Sequence, residues 1–435
     1  MKLAAAAKPA LVALLAAALF VPVSMIQGLV HERQARHNEA VAGIAEGWGK
    51  RQTLAGPYLA VPYERTWIKV VQETVDGSPR ERRTEHTESL VLRLPAESVD
   101  WKISAEVSEK ARGIYKARLY SASAEARGRI AVPARFGLPE SADRIKWGTP
   151  RLVLGVSDPH GIRSVSPLVA SGAERPFAPG SGDSAVAAGV HVLLPELRAA
   201  EARSLDFAYS LLLAGSGALA VAPLGSNTTV AMRSDWRHPS FAGRFLPLAS
   251  EIDADGFSAE WKVSPYAAPG TSSRQELAVS FIEPAGLYQQ LERASKYGFL
   301  FIGLTFAAFL LFELLRRLAI HPIQYLLVGL ALAMFFLLLT ALSEHIPFAA
   351  AYAIATFACV GLISAYLMRV LHSAFSGLAF GTALAALYAM LYALLKAEDY
   401  SLLGGSLLLF GLLAVVMLAT RRVDWYASSG ARGTP

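Results

Sequence analysis

Apolar residues are concentrated in two parts of the chain, 9–30 and 298–420, and the region between them has the mixed composition of a soluble domain. A bilayer core about 30 Å thick is crossed by a helix of roughly 17–25 apolar residues. Six stretches have this length, so the pattern predicts an α-helical transmembrane bundle of six spans, one N-terminal and five C-terminal. The predicted spans are 9–30, 298–315, 322–342, 348–368, 373–395 and 400–420.

The first span follows Lys2 and Lys8, which is also the arrangement of a secretory signal peptide. Its apolar run extends to Val30, however, and the small residues 16–18 lie in the middle of the run instead of at its end. We therefore predict an uncleaved membrane anchor, with a cleaved signal peptide as the alternative.

Residues 31–52 keep the helical spacing of the first span until Gly56-Pro57 interrupts it. Short stretches with the alternation of β-strands follow, separated by Gly, Pro, Asn and Asp. This pattern predicts a large, mostly-β, antiparallel sandwich-like domain, in which 171–186 is the best candidate for a mobile loop. The predicted division is a transmembrane anchor (1–30), a β-rich domain (31–297), a five-helix transmembrane bundle (298–420) and a tail (421–435).

Composition supports a membrane protein, since 53% of the residues are hydrophobic and only 17% are charged. The single cysteine, Cys359, lies in an apolar run, so residues 31–297 hold no disulfide and no cysteine-ligated metal. That region carries 32 Lys and Arg against 30 Asp and Glu, without a basic stripe, and we predict no nucleic-acid partner.

Basic residues near the span ends predict the orientation. With a cytoplasmic N-terminus, the short outer loops 343–347 and 396–399 carry one basic residue, Lys396. Both termini are therefore predicted to be cytoplasmic, and the β-rich domain extracytoplasmic, in a bacterial inner membrane. The inner segments carry Lys2, Lys8, Arg316, Arg317, Arg369, Arg421, Arg422 and Arg432.

The fifth span has small residues at every fourth position, which form one smooth ridge on a helix. Such a ridge allows another helix to approach closely. We interpret it as a packing face within the chain, with a homo-oligomer contact as the alternative. The ridge consists of Ser373, Gly377, Gly381, Ala385, Ala389 and Ala393.

Charged residues are rare inside the bundle, and Glu313 is the most notable. It precedes Arg316 and Arg317 by three and four residues, which predicts an ion pair at the cytoplasmic rim. A proton-relay carboxylate is the alternative, but it lacks a second ionisable partner in the sequence.

Catalytic motifs of metallopeptidases, serine hydrolases, penicillin-binding enzymes and nucleotide-binding proteins are not present in the sequence. The histidines of the β-rich domain are scattered without metal-ligand spacing. We therefore predict no catalytic residues, no cofactor and no metal.

A series of short blocks, in order along nearly the whole chain, resembles the CreD family of cell-envelope integrity proteins. The weakest matching lies in about 65–235. The blocks are Trp48-Gly49 with Gln52 and Gly56-Pro57, then 240–247, 256–261, 296–301, 321–329, 342–346, 398–399 and 420–426. The resemblance implies an inner-membrane protein tied to envelope stress and tolerance of envelope-damaging agents, without an established enzymatic activity or cofactor.

Two of these blocks carry candidate functional residues. Glu344 and His345 follow the third span, and Glu398 and Asp399 precede the sixth, so topology places all four at the outer surface. We predict a rim cluster there, joined to Arg293 or Lys296 and sensitive to pH; solvated helix ends are the alternative.

Basic and aromatic residues follow the last span. Arg421, Arg422, Trp425 and Tyr426 combine headgroup-binding charges with interfacial rings, so they predict a cytoplasmic interface anchor.

Three functions remain open. The first is a non-enzymatic envelope protein, whose outer domain binds a periplasmic or cell-wall partner while the bundle sits in the lipid bilayer. The second is a transporter or flippase of an envelope component, and the third is a membrane-bound envelope hydrolase.

Overall fold

A computed structural model describes residues 11–75, 78–140, 143–224, 226–267, 275–281, 286–316 and 321–396, with residues 405–407, 410, 411, 414 and 417. The chain forms two compact units. One unit, which we call the β domain, comprises residues 40–284, and the other, the membrane unit, comprises 1–39 and 285–435.

The first helix, α1 (Phe20–Trp48), continues a helical segment that starts at Leu11. The combined helix of 38 residues is much longer than one span requires, as the helical spacing of 31–52 predicts. It ends at Gly49, whose N–H donates to the carbonyl of Ala45 (2.8 Å) and whose φ of 148° favours glycine. A Cβ at Gly49 would lie 2.4 Å from the carbonyl oxygen of Ala214, so the chain turns closely against the backbone there.

The β domain contains eighteen described strands in two sheets. In the first sheet β10, β11, β6, β1, β13, β18 and β15 are neighbours in that order, and β2 and β5 also pair with β1; the second runs β16, β17, β14, β3, β4, β12, β8 and β9, with β7 on β12. The strands are β1 (Gln52–Val75), β2 (Ser78–Pro95), β3 (Ser98–Arg112), β4 (Tyr115–Val132), β5 (Arg144–Trp147), β6 (Arg151–Val156), β7 (Ile162–Val165), β8 (Leu168–Ala170), β9 (Ala173–Arg175), β10 (Ala178–Pro179), β11 (Gly189–Leu193), β12 (Arg203–Ser216), β13 (Ala218–Ala222), β14 (Asn227–Ser234), β15 (Ser240–Gly243), β16 (Ala249–Ile252), β17 (Phe257–Val263) and β18 (Leu277–Ser280).

Alternation of buried and exposed residues places the core between the two sheets. In β14, β17 and the first half of β3 every second side chain is buried, as a strand with one face in a core requires. The largest buried side chains of this core include Trp101, Trp261, Tyr120 and Phe136. The mostly-β prediction is therefore confirmed.

Two details of that prediction are wrong. The sandwich is not purely antiparallel, because β1 pairs with β13, and β3 with β14, in parallel. The segment 171–186 is not wholly a loop, because it contains the short strands β9 and β10 and Asp183 near its end is bonded to Arg93; its mobility stays a prediction. Parallel pairs join strands far apart in sequence, so local alternation cannot reveal them.

Four further helices of the membrane unit are described. The helix that begins at Pro322 has a well-defined N-terminal cap. His321 Nδ1 accepts from the N–H of Ile323 and Gln324 Oε1 accepts from the N–H of His321, with Pro322 in the first turn. The helices are α2 (Leu287–Arg316), α3 (Pro322–Ser343), α4 (Phe348–Val370) and α5 (Ala374–Lys396).

Among the described residues, four helical segments are long and apolar enough to cross a membrane: the one containing α1, and α3, α4 and α5. The predicted second span, 298–315, lies within α2. The predicted sixth span, 400–420, and the predicted anchor Arg421, Arg422, Trp425 and Tyr426 lie almost wholly outside the described residues. The structure thus gives a multi-pass helical unit, and the number of six spans stays a prediction.

Candidate functional site at the rim of the membrane unit

Glu344 lies at the C-terminal end of α3 and forms an ion pair with α1. Its Oε1 is 3.7 Å from Nε of Arg33, and its side chain is only 9% exposed. The sequence patterns do not single out Arg33. A signal for it exists, since an arginine three residues beyond the apolar run is unusual in the predicted orientation, in which this end of the span faces outward.

The same end of α1 also contacts the first turns of α2. Gln27 Nε2 donates to the carbonyl of Ser295 (3.1 Å), and Nε2 of His31 lies 3.8 Å from Glu292. Lys296 Nζ donates a hydrogen bond to Glu292 Oε1 (2.7 Å). This bond lowers the pKa of the Glu292 carboxyl. We call these contacts the rim network: Gln27, His31, Arg33, Glu292, Ser295, Lys296 and Glu344.

The rim network differs from the predicted rim cluster. Lys296 pairs with Glu292, and the ion pair of Glu344 is with Arg33. His345 is exposed and donates its N–H to the carbonyl of Leu342 (3.0 Å), as a helix-end residue does. Glu398 and Asp399 lie outside the described residues, so their meeting with Glu344 stays a prediction. The network joins the end of the first span, the start of α2 and the end of α3 at one surface, as alternating spans require.

The small-residue ridge of α5 contacts α4 at two of its positions. A Cβ on Gly377 would lie 2.4 Å from Cγ and 2.8 Å from the backbone nitrogen of Met368, and one on Gly381 would meet Ser364 Oγ. Backbone approach this close requires glycine. Gly377 and Gly381 are buried, Ser373 and Ala385 are half-buried, and Ala389 and Ala393 are exposed.

Glu313 is buried inside the membrane unit. Its Oε2 accepts a 2.7 Å hydrogen bond from the hydroxyl of Tyr325, which is itself fully buried. The spacing along the sequence predicts Arg316 or Arg317 as its partner and gives no sign of Tyr325, because α2 and α3 meet only in the fold.

A second polar group lies where α3, α4 and α5 pack together. The hydroxyl of Tyr352 donates to the carbonyl of Tyr388 (2.7 Å), and Sγ of Cys359 is 3.3 Å from both the hydroxyl of Tyr388 and the carbonyl of Ala331. Phe335 packs edge-on against both tyrosines. Buried hydroxyls in lipid-facing helices must find partners inside the protein, and this group satisfies them across helices.

In the β domain, the end of α1 is clamped by the residues around it. Trp48 Nε1 donates to the carbonyl of Tyr120 (3.3 Å), and Lys110 and Arg163 lie over its ring at 4.1 and 4.9 Å. Gln52 is fully buried and donates to the carbonyls of Asp158 and Ala214. The block Trp48-Gly49 with Gln52 therefore has a structural role, which is to fix the entry of α1 into the sheets.

A second clamp holds the segment 180–186, which we call the strap, on the first sheet. The side chain of Asp183 is fully buried and accepts two hydrogen bonds from Arg93 (2.6 and 2.7 Å) and one from Tyr58 (2.9 Å). These bonds, chiefly those from Arg93, lower the pKa of Asp183 to about 2. The strap covers a small apolar cluster formed by Ala55, Tyr58, Ala60, Val153, Ala222 and Leu224.

An open groove of about 690 Å³ runs along one end of the β domain. Leu94, Ala131 and Pro133 supply apolar surface, Arg129 and Arg203 supply positive charge, and Glu97 supplies negative charge. Arg129 is paired with Asp206 (2.7 Å) outside the groove lining. Among the described residues, no three His, Cys, Asp or Glu side chains are placed to hold a metal ion.

These features define a multi-pass membrane protein with a β-sandwich domain between its first and later membrane helices. Comparison with known proteins identifies the family. The family model described as inner membrane protein CreD matches residues 4–426. The inner membrane protein CreD of Escherichia coli (strain K12) is 35% identical over 422 residues, which cover 94% of this chain and 91% of that protein. The chain therefore belongs to the CreD family of inner membrane proteins.

Solved structures show only distant likeness. An M1 zinc metallopeptidase from Deinococcus radiodurans aligns with 79% of this chain and 95% of its own, at 13% identity and a TM-score of 0.25. Native yeast LTA4 hydrolase aligns with 48% of this chain and 34% of its own, at 9% identity and a TM-score of 0.21. Scores this low carry no argument about fold or activity.

Proposed function

We propose that this protein is a non-enzymatic inner-membrane protein that supports cell-envelope integrity, and that its β domain is the extracytoplasmic module that binds an envelope partner. Family membership supports the membrane location, and the distribution of basic residues at the span ends supports the orientation. The observation that carries the binding role is the groove of the β domain.

The groove is open, and its volume of about 690 Å³ lies within the ~300–1,000 Å³ of typical ligand pockets. Leu94, Ala131 and Pro133 line it together with Arg129, Arg203 and Glu97. Arginine side chains form bidentate contacts with carboxylates and phosphates. This chemistry suits an extended envelope component that carries both apolar and anionic groups.

A photo-crosslinking residue placed at Ser204 tests this role in living cells. Ser204 is exposed and lines the groove, and Ser104, an exposed serine of β3 outside the groove lining, is the matched control. We expect one defined adduct from Ser204 and none from Ser104. Arg129→Glu with Arg203→Glu should then remove the adduct and lower survival in an envelope-damaging detergent. Equal adducts from both serines, or unchanged survival with the adduct lost, would contradict the proposal.

Orientation has its own test. Alkaline phosphatase fused within residues 60–290 should be active, and a fusion after Trp425 should be inactive, because both termini are proposed to be cytoplasmic with six spans between them. Activity at the C-terminal junction would contradict the six-span proposal.

Transport of an envelope component is a second candidate, favoured by the buried Glu313–Tyr325 pair. A carboxylate in a membrane helix is costly and often marks a pathway for ions or substrates. Proteoliposomes with a headgroup-labelled phospholipid would measure movement between leaflets. Movement that depends on the protein and is lost in Glu313→Gln, but not in the control Ser376→Ala on α5, would support transport. If no movement depends on the protein, the transport hypothesis is contradicted for phospholipids.

A further inference from the structure

Strand β2 has an unusually long open edge. It pairs with β1 over all eighteen of its residues, from Ser78 to Pro95, and none of the strand pairings in the described part of the chain uses its other edge. The backbone groups of such an edge form a template on which another strand can add. Residues 81–83 and 85–89 are exposed.

The outer part of this hairpin is supported by two strands only. β5 pairs with β1 as far as Thr66, and beyond that residue the described pairing of β1 is with β2 alone. Ile68 and Val70 are 63% and 50% exposed there, and they lie opposite Glu85 and Arg83. Aliphatic side chains exposed beside charged ones on a two-stranded ribbon favour an interaction surface over a solvated loop.

The charges along β2 are self-complementary. Arg82 and Arg83 precede Thr84, Glu85 and Glu88 follow it, and Glu81 also lies on the N-terminal side. If two copies of β2 pair antiparallel around Thr84, Arg83 lies opposite Glu85 of the partner subunit and Glu81 lies opposite Thr87 of the partner subunit. The two-fold axis repeats the first pair, which gives two opposite-charge pairs across the edge.

Neighbouring registers contain like-charge pairs. An axis at residue 83 places Arg83 opposite Arg83 of the partner subunit and Glu81 opposite Glu85 of the partner subunit. An axis at residue 85 places Glu85 opposite Glu85 of the partner subunit, although Arg82 then lies opposite Glu88 of the partner subunit. Like charges directly opposite each other destabilise a strand pair, so the register around Thr84 is favoured over the two adjacent ones.

We propose that the open edge of β2 is an interface between two copies of this chain, which pair antiparallel around Thr84 and join their first sheets into one. The partner is a second copy because the charge pattern is complementary to itself in one register. This interface is independent of the groove and of the ligand proposed to bind there.

Disulfide crosslinking of the full-length protein in native membranes tests the register. In a Cys359→Ala background, Thr84→Cys places two thiols directly opposite each other, with Cα atoms about 5 Å apart, within the reach of a disulfide. Thr87→Cys is the matched control, because its two copies would be separated by about 20 Å along the strands. Mild oxidation should give a dimer for Thr84→Cys and little for Thr87→Cys. Equal yields, or no dimer from Thr84→Cys, would overturn the proposal.

Charge reversal tests the complementarity. Arg83→Glu and Glu85→Arg should each raise the dissociation constant of the dimer about tenfold in detergent, measured by mass photometry. The double variant restores opposite charges and should return the constant to the wild-type value. Arg127→Glu, at an exposed arginine of β4, should have no effect. Thermal melting followed by tryptophan fluorescence shows that each variant is folded. A dimer that is unaffected by the single reversals, or is not restored by the double one, would overturn the proposal.

Discussion

The β domain and the membrane unit bury their polar groups in different ways. In the β domain, Asp183 is held by Arg93 and Tyr58, which belong to strands far from it in sequence. In the membrane unit, the buried hydroxyls of Thr305 and Thr340 each donate to the carbonyl four residues earlier in their own helix (2.8 Å). A threonine in a membrane helix can be satisfied by its own backbone, and the longer tyrosines of this unit reach other helices, whereas a strap on a sheet requires partners from other strands.

This difference predicts which substitutions are costly in each unit. The β domain should be most sensitive to loss of a charged partner, and the membrane unit should be most sensitive to added volume where helices meet. The chain offers a separate probe for each unit. Six of its seven tryptophans lie within residues 40–284, and its only cysteine, Cys359, is buried in α4. Tryptophan fluorescence therefore follows the β domain, and labelling of Cys359 by a thiol-reactive dye follows the membrane unit.

The largest loss of stability is expected for Asp183→Asn. Removing one member of a buried ion pair costs about 3–5 kcal/mol, because the other charge is left uncompensated. Arg93 is 27% exposed and keeps some hydration, so we expect a loss of about 3 kcal/mol in the free energy of unfolding of the β domain. Tyr58→Phe removes one hydrogen bond and should cost about 1 kcal/mol. Equal effects of the two variants on the tryptophan transition would show that the ion pair contributes little.

The same pair should make the β domain sensitive to acid. The hydrogen bonds from Arg93, with smaller contributions from the N–H of Ala185 and from Tyr58, lower the pKa of Asp183 from 3.8 to about 2. Because the folded pKa is below the unfolded one, the stabilisation is fully present above about pH 4 and is lost as the pH falls toward 2. Between pH 5 and 8, the difference between wild type and Asp183→Asn should be constant. Below pH 4 it should shrink, and a difference that persists at pH 2 would contradict this origin.

The second-largest loss of stability is expected where α5 packs against α4. Gly377→Leu with Gly381→Leu forces side chains into Met368 and Ser364, and overpacking costs about 1–3 kcal/mol. We therefore expect the labelling transition of Cys359 to fall in temperature while the tryptophan transition is unchanged. Gly361→Leu is the matched control, because a Cβ there meets no atom within 4 Å. If Gly361→Leu and the double variant behave alike, close packing at the ridge is not what matters.

The sequence predicts features that depend on residues close together along the chain, and it does not predict contacts between distant segments. Gly377 and Gly381 could be singled out because a spacing of four is visible within one helix, although their partner α4 was not. Alternation predicted strands such as 99–107, but the parallel pairing of β3 with β14 depends on register between distant segments. The strap illustrates the limit most clearly. Its Gly and Ser content indicates a loop, and only the fold brings Arg93 and Tyr58 to Asp183.

The smallest effect is expected at the rim network, where Glu344 faces Arg33. Their distance of 3.7 Å and the 36% exposure of Arg33 place this pair between an exposed ion pair and a buried one. A double-mutant cycle of Glu344→Gln and Arg33→Gln should therefore give a coupling energy of about 0.5–1 kcal/mol, measured by the labelling transition of Cys359. His345→Gln should have no measurable effect, because its side chain is exposed. Coupling of Glu344 to His345 instead of Arg33, in the corresponding cycle, would support the acid–histidine cluster that the sequence predicts, and would show that Arg33 does not hold Glu344.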